Sequence, residues 1–256
     1  MKPSMAIITV VYNSAGTILD TMRSVEAQQG IQTEHIIVDG GSVDGTLELM
    51  HNSNSHSTLI SEPDLGVYDA MNKGVRIAES DIVGFLNSDD VYFDPQVLNY
   101  VQSAFENDPA LEIVYGDLVY VRKNDLNKVV RHWQSRPYDD RFFEEGNVPP
   151  HPAFFVKRRT LIESGGFDLA FSFAADYELM FRLLKIESRR SHYLAQVLVR
   201  MRLGGKTNQT LGNILAGNKE ILRVWSKHRV KISLRFWLRR YLLKVKQYLR
   251  ALTEHY

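Results

Sequence analysis

The sequence predicts an α/β fold with a mainly parallel central sheet and helices on both of its faces. Two observations predict it. Over residues 5–90, short runs rich in Ile and Val alternate with stretches of helical spacing, the order that builds parallel sheets. The last of these runs, Ile82-Val83-Gly84-Phe85-Leu86, ends directly in Asn87-Ser88-Asp89-Asp90. That sets two adjacent carboxylates at the carboxyl end of a strand, where open α/β sheets bind ligands.

Taken in order, residues 5–11 read as a buried strand. Asn13 and Ser14 are placed to cap a helix over 15–28 that stops at Gly30. Residues 35–38 form the second strand, Asp39-Gly40-Gly41-Ser42 a tight turn, and 44–50 a helix. The third strand is 58–61; a helix over 67–78 leads to the fourth, 82–86. Beyond Asp90 the pattern loosens. A helix is expected over 95–106, antiparallel strands over 113–121 and 129–133, and a short strand over 153–156. Helices follow over 158–164 and 175–185, then an extended stretch over 191–203. No linker, repeat or low-complexity segment divides residues 1–205, which read as one domain.

Composition narrows the classes. The chain has 256 residues, 44% of them hydrophobic, enough for one large core with an appendage. With no cysteine there is no disulfide and no thiolate metal site, which fits a reducing compartment. The apolar stretch from Met5 to Val11 is too short for a signal peptide. No run of about 18 apolar residues is present to span a membrane. The net charge of +1 conceals an asymmetry: residues 223–250 hold ten Lys or Arg and no Asp or Glu, while residues 1–222 hold 21 against 29. The tail is therefore expected to meet an anionic surface, and the acidic body argues against nucleic acid.

Adjacent aspartates such as Asp89 and Asp90 repel unless a cation or a donor neutralises them. Mg²⁺-type sites use one or two carboxylates plus substrate phosphates; an exposed Asp pair in a turn is the plain alternative. Asp39 ends the second strand, where doubly wound folds place an acid that accepts hydrogen bonds from a nucleoside. Gly40 and Gly41 would let a base approach the backbone. Asp44 reads as a helix cap, with a second nucleoside contact as the alternative. There is no G-x-G-x-x-G, which disfavours a dinucleotide cofactor. In Glu62-Pro63-Asp64-Leu65-Gly66-Val67-Tyr68-Asp69-Ala70-Met71-Asn72-Lys73-Gly74, the side chains of Asp69, Asn72 and Lys73 share a helix face. Lys73 is either a phosphate contact or half of an i,i+4 pair with Asp69 worth about 0.3 kcal/mol.

Residues 5–13, 38–46, 62–74 and 85–90 together resemble the nucleotide-binding half of family 2 glycosyltransferases, which have the GT-A fold. His151-Pro152-Ala153-Phe154-Phe155-Val156-Lys157-Arg158, then Gly165-Gly166-Phe167-Asp168, then Ala174-Ala175-Asp176-Tyr177-Glu178 resemble the acceptor-side segments of the same family. The likeness runs in order from about residue 5 to residue 208 and is greatest to bacterial members that build O-antigen, capsule and colanic-acid type polysaccharides. It implies a Rossmann-like, mainly parallel sheet flanked by helices, with a smaller antiparallel acceptor-side portion. The catalytic domain would be 1–208, split at residue 90 into nucleotide-sugar and acceptor halves, and 209–256 a helical basic tail.

Residue by residue, the resemblance implies that Thr9, Tyr12 and Asn13 border the base and that Asp39, with Gly41 beside it, binds uracil or its equivalent. Asp90 would coordinate Mn²⁺ or Mg²⁺ bridging the diphosphate, with Asp89 near the metal, the ribose or the donor sugar. Asn87 stands where many relatives have aspartate, so a ribose hydroxyl is its expected partner. Asp176 occupies the place of the catalytic base, with Glu178 as the fallback; a helix N-cap is the plain reading of Asp176. His151, between two prolines, is expected to be extended and to be either a structural histidine or a contact to phosphate, metal or acceptor. Asp69, Asn72 and Lys73 would face the donor. The loop over 204–208 reads as a lid or as a linker.

In the tail, Leu234, Trp237, Leu238, Tyr241, Leu242, Val245, Tyr248, Leu249 and Leu252 fall on one face of a helical wheel. Lys231, Arg235, Arg239, Arg240, Lys244, Lys246 and Arg250 flank or oppose it, while Phe236 and Leu243 interrupt the cationic side. A basic amphipathic helix of this kind suits an anionic membrane surface; packing on the domain or on a second subunit is the alternative. The expected enzyme is a metal-dependent inverting glycosyltransferase, cytoplasmic and peripheral at the inner face of the cytoplasmic membrane. It would use a nucleoside-diphosphate sugar, with UDP foremost, and a glycan or lipid-linked oligosaccharide acceptor. A nucleotidyltransferase is the rival, but it usually carries a basic Gly-rich loop where this chain has Tyr12-Asn13-Ser14. A non-catalytic sugar- or nucleotide-binding module is the third reading.

Overall fold

The structure, a computed structural model, describes residues 2–53, 55–204 and 211–253. Most of the lid-or-linker stretch over 204–208 lies outside the described residues.

Among the described residues nine strands form one sheet in the order β3-β2-β1-β4-β8-β6-β9-β5, and β7 pairs with β6 beyond β8, on the edge opposite β9. β1 (Met5–Val11), β2 (Thr33–Asp39), β3 (Thr58–Ser61) and β4 (Ile82–Phe85) are mutually parallel. Helices α1 (Ile18–Glu26), α2 (Thr46–Asn52) and α3 (Val67–Ile77) connect them. Successive β1 residues feed opposite faces, as the two-residue period of a strand requires. Ala6, Ile8 and Val10 pack with α3 on one side, and Met5 and Ile7 pack on the other with α4 (Val97–Asn107). Burial on both faces is why these strands read as unbroken apolar runs.

The second half reverses direction. β8 (Phe154–Lys157) runs antiparallel to β4 and to β6 (Ile113–Arg122), and β7 (Asp125–Trp133) is antiparallel to β6. β9 (Ser191–Arg202) returns parallel to β6 and pairs with β5 (Val91–Tyr92), a two-residue strand too short to show in the sequence. Helices α5 (Arg158–Glu163) and α6 (Ala175–Phe181) follow β8, and α6 runs into a π-helical turn over Arg182–Ile186. The predicted elements over 5–203 are present, with ends shifted by a few residues.

One helix start differs in kind. α1 begins at Ile18, not residue 15, and neither Asn13 nor Ser14 caps it. Asn13 sits at φ 50° with its Oδ1 accepting from Val43 N, and Ser14 Oγ meets Ser88 Oγ at 2.8 Å. Their side chains tie loops together across the end of the sheet.

The C-terminal helices are not set apart from the core. α7 (Leu211–Lys227) and α8 (Leu234–Thr253) bring Ile221, Val224, Trp225 and Phe236 into the same buried cluster as β1 and α6. Trp225 Nε1 donates to Tyr177 Oη at 2.9 Å. α8 lies along β7, and its orientation departs from the wheel. Phe236 is fully buried, and Arg240, Leu243, Gln247 and Arg250 are half-buried on that same side. Leu238, Tyr241, Leu242, Val245, Leu249 and Leu252 are exposed. The residues that interrupted the cationic side are among those that dock, and the apolar stripe faces outward apart from Trp237, which packs half-buried against the core cluster.

Candidate active site

The carboxyl ends of β1 and β2 build one end of the cleft. Asp39 is wholly buried, and its carboxylate is consumed by its own loop. Oδ2 accepts from Gly41 N, Ser42 N and Ser61 Oγ, and Oδ1 from Ser42 Oγ. Gly41 takes φ +87°, a left-handed conformation that costs glycine nothing. At Gly40 the backbone passes so close to Asp64 that a Cβ there would lie 2.5 Å from Asp64 Oδ2. Asp39 therefore shapes the turn, and the groups presented at this end are the ring of Tyr12, 64% exposed, and the half-buried Asp64.

The other expected donor contacts at this end are engaged elsewhere. Thr9 is fully buried, 3.0 Å from His35 Nε2, so it faces the core and not a base. Burial holds the His35 ring down at about 4 and so neutral. Asn13 is held in its loop by Ser42 Oγ and Val43 N. Lys73 bonds Glu62 at 2.8 Å, Asp69 at 3.6 Å and the Pro63 carbonyl at 2.9 Å, so the i,i+4 pair is formed and the cation is neutralised within the loop. Asp69 Oδ2 also accepts from Leu65 N, closing the approach to α3. Asn72 exchanges two 2.9 Å bonds with the backbone of Phe167, latching the two halves of the domain.

At the end of β4 the carboxylates are treated differently. Asp90 is fully buried. Asn87 Nδ2 donates to its Oδ2 at 3.0 Å, while its Oδ1 has no partner among the described residues. Burial, and then the neighbouring Asp89, push the Asp90 carboxyl well above the usual range. Asp89 is half-buried, and burial raises it too. Arg202 braces the loop, donating from Nη1 to the Asp89 carbonyl at 2.7 Å and from Nη2 to Asp20 at 2.6 Å. A buried carboxylate oxygen with no donor must be compensated by a proton or a cation. The donor set of two adjacent carboxylates therefore fits a hard divalent ion, and no larger cluster of metal-ligating side chains occurs among the described residues.

Asp176 stands in the first turn of α6, two residues inside the helix rather than at its N-cap, which is Ala174. Its Oδ1 accepts from Tyr68 Oη at 3.0 Å and Tyr177 N at 2.8 Å, whereas its Oδ2 accepts from no described residue. One oxygen is held and the other is left to take a proton. Burial and then the adjacent Asp176 charge raise Tyr68 well above the usual phenol range, so it stays a donor. The Tyr68 ring stacks on Phe167 at 5.6 Å.

His151 begins a one-turn 3-10 helix over His151–Ala153 and is not extended as its two prolines predicted. Its ring is buried between Phe85, at 5.4 Å, and Phe167, at 5.7 Å, and its Nε2 has no partner among the described residues. Burial keeps it neutral against the opposing pull of Asp176. Glu178 is no substitute base. It is fully buried and bonded to Arg182, Lys227 and His228. Burial lifts the Tyr120 hydroxyl to about 12; Arg131 opposes the rise, and Asp90, Tyr248 and Asp176 add to it. Asp90 and Asp176 are thus both within electrostatic reach of Tyr120.

Sequence reasoning did not single out Tyr68, Tyr120, Arg131 or Arg202. Tyr68 sits in the 62–74 motif and was within reach of the sequence. The others lie in strands whose neighbours only the sheet order supplies.

A sequence profile described as "Glycosyl transferase family 2" matches residues 6–165. The chain is 32% identical over 183 residues to an uncharacterized glycosyltransferase, Rv1514c, of Mycobacterium tuberculosis, covering 70% of this chain and 68% of that protein. It is 25% identical over 257 residues to a PGL/p-HBAD biosynthesis glycosyltransferase of Mycobacterium bovis, covering 98% and 93%. Among solved structures it resembles the mannosyltransferase PcManGT of Pyrobaculum calidifontis in complex with GDP-Man and Mn²⁺. The TM-score is 0.65 at 19% identity, over 99% of this chain and 73% of that one. The parallel sheet, the acid pair after β4 and the profile over residues 6–165 agree: the chain belongs to glycosyltransferase family 2 and is a glycosyltransferase.

Proposed function

We propose that the enzyme is inverting and metal-dependent, and that it moves a sugar from a nucleoside-diphosphate donor to a hydroxyl of a membrane-borne glycan or lipid-linked oligosaccharide. The observation that carries this reading is the contrast within the site. Asp176 has one oxygen fixed and one unengaged, and it faces the region served by Asp90, whose Oδ1 lacks a donor.

In the reaction, the acceptor oxygen attacks the anomeric carbon as the bond to the diphosphate breaks, and the acceptor proton passes to Asp176 Oδ2. Tyr68 keeps the carboxylate aimed by holding its Oδ1. A divalent ion at Asp90 and Asp89 would supply charge stabilisation to the diphosphate leaving group, worth several kcal/mol. Single displacement with one carboxylate as base inverts the anomeric centre, in the logic of an inverting hydrolase with a sugar hydroxyl in place of water. Tyr12 and Asp64 flank the base of the donor. UDP is the first nucleotide to test, and GDP the second, because PcManGT binds GDP-Man.

No helix among the described residues is long and apolar enough to cross a membrane. The outward stripe of α8, with Arg235, Arg239 and Lys246 exposed beside it, supports attachment to an anionic membrane surface. The M. bovis relative that aligns through this helix is described as acting in PGL/p-HBAD biosynthesis, which supports a glycolipid or surface-polysaccharide role. The division at residue 208 is then one of task, since the helices after it share the core of the domain. Turnover of a donor panel with and without Mn²⁺, with the anomeric configuration of the product read by NMR, is the test. A retained configuration, or undiminished turnover after chelation, overturns it.

A further inference from the structure

A cavity of about 210 Å³ lies where α8 meets the ends of β6, β7 and β9. Tyr120, Arg131, Arg202, Lys244 and Tyr248 line it. It is smaller than the roughly 300–1,000 Å³ pockets that enclose whole small molecules, and suits a single charged group.

Its cations are differently engaged. Arg202 is spent on Asp20 and on the carbonyls of Asp89 and Lys123. Arg131 donates from Nε to Gln247 of α8 at 2.7 Å, and its guanidinium lies 4.5 Å from the Tyr120 ring and 5.6 Å from that of Tyr248. Arg240, one turn before Lys244, lies against the rings of Tyr177 and Phe236. Among the described residues no carboxylate pairs with Arg131, Arg240 or Lys244. Burial lowers both Arg240 and the still partly exposed Lys244; Arg240 and then Arg131 add to this at Lys244, whereas at Arg240 Tyr177 and Asp176 oppose it and Arg131 adds to it. A group of partly desolvated like charges is costly until an anion joins it. Arg and Lys together are the usual receptors of phosphate.

Position decides which phosphate. The strand order puts the loop bearing Asp89 and Asp90 between the nucleoside end, at β1 and β2, and this cavity, at β6, β7 and β9. A donor enters from the first side, which leaves the second for the acceptor. Tyr248 lines the cavity and is itself half-exposed on the outer helix, beside Val245, Leu249 and Leu252. The anionic subsite thus borders an apolar surface, as an amphiphilic ligand requires.

We propose that this cavity holds the phosphate of a lipid-phosphate carrier on the acceptor, with Lys244 and Arg131 as its ligands and the apolar stripe of α8 along its chain. This rests on the reading of the protein as a glycosyltransferase with a membrane-borne acceptor. α8 then positions the acceptor as well as the enzyme.

The experiment is calorimetric titration of the full chain, saturated with UDP and Mn²⁺, with n-decyl phosphate below its aggregation concentration. Lys244→Gln is expected to weaken decyl phosphate by at least ~10-fold, the scale of one charge-assisted hydrogen bond, and to leave UDP affinity unchanged. Arg235→Gln, an equal loss of charge on an exposed residue outside the cavity, is expected to leave both unchanged. Equal binding by Lys244→Gln overturns the proposal. So does an equal loss in Arg235→Gln, which would mean diffuse surface charge. A matching loss of UDP affinity in Lys244→Gln would return the cation to the donor diphosphate. Inorganic phosphate binding as tightly as decyl phosphate would exclude the lipid carrier. If UDP fails to bind the unsubstituted protein, the donor reading fails instead, and the same titration without nucleotide still decides the cavity.

Discussion

The two ends of the cleft spend their buried aspartates in opposite ways. Asp39, at the end of β2, meets four hydrogen bonds from its own loop and the next strand. Asp90, at the end of β4, has one donor and an oxygen with none. Both are wholly buried in a strand-to-loop corner. A carboxylate whose lone pairs are filled by the chain serves the fold. One that is left short serves whatever arrives, because its desolvation is offset when a proton or a cation binds. The difference, at positions whose sequence settings are alike, is the ground for proposing Asp90 rather than Asp39 as the acid that binds a ligand.

The sharpest break of this comparison is Asp90→Asn. Activity with Mn²⁺ should fall by roughly 10³-fold or more, the several kcal/mol expected of a metal's charge stabilisation. The urea midpoint should not fall, because a neutral amide is easier to bury than the carboxylate. Near-normal activity and metal affinity would remove Asp90 from the metal site. The mirror experiment is Asp39→Ala, which should cost about 3 kcal/mol or more of stability in urea unfolding, since it orphans buried N–H and hydroxyl donors. Intact stability with lost nucleotide binding would make Asp39 a ligand residue after all.

Asp176→Asn should lower kcat by at least ~10²-fold, the low end for general-base catalysis, with donor Kd nearly unchanged. An unchanged kcat would move the base elsewhere, and Glu178 is already closed to the role by its bonds to Arg182, Lys227 and His228. Tyr68→Phe removes one of the two bonds on Asp176 Oδ1. A net loss of about 1 kcal/mol predicts a roughly fivefold lower kcat, with no change in Mn²⁺ affinity. A metal effect there would mean that Tyr68 acts on the other side of the site.

The gentlest test concerns Glu178, the third buried acid. Burial opposes its ionisation, yet the hydrogen bonds from Arg182 and Lys227 outweigh this and hold it below the ordinary carboxylate range. A depressed folded-state pKa gives stability that is full above the unfolded value and is lost as pH falls through the folded one. The urea midpoint of the unsubstituted protein should therefore drop on acidification below the ordinary carboxylate range. In Glu178→Gln that part of the slope should vanish. The same slope in both proteins would assign the acid sensitivity to other carboxylates.

The sequence by itself determined the alternation of strands and helices through Asp90, because buried parallel strands and their connecting helices leave short-range patterns. It also determined which carboxylates end β2, follow β4 and open α6. It could not say which of them would be satisfied, since the donors to Asp39 include Ser61 from a neighbouring strand and the side-chain donor to Asp176 is Tyr68, 108 positions away. The same limit governed Thr9, Asn72 and Lys73, polar side chains whose partners were set by packing. α8 shows it most plainly. The helical wheel gave the stripe and the two misfits correctly, and predicted a single apolar face for contact. Only the tertiary structure decided that Phe236 and Leu243 face the domain while the stripe faces out, because a helix lies on whichever side meets a surface already built. Here that surface comprised β7 and the aromatic cluster around Trp225.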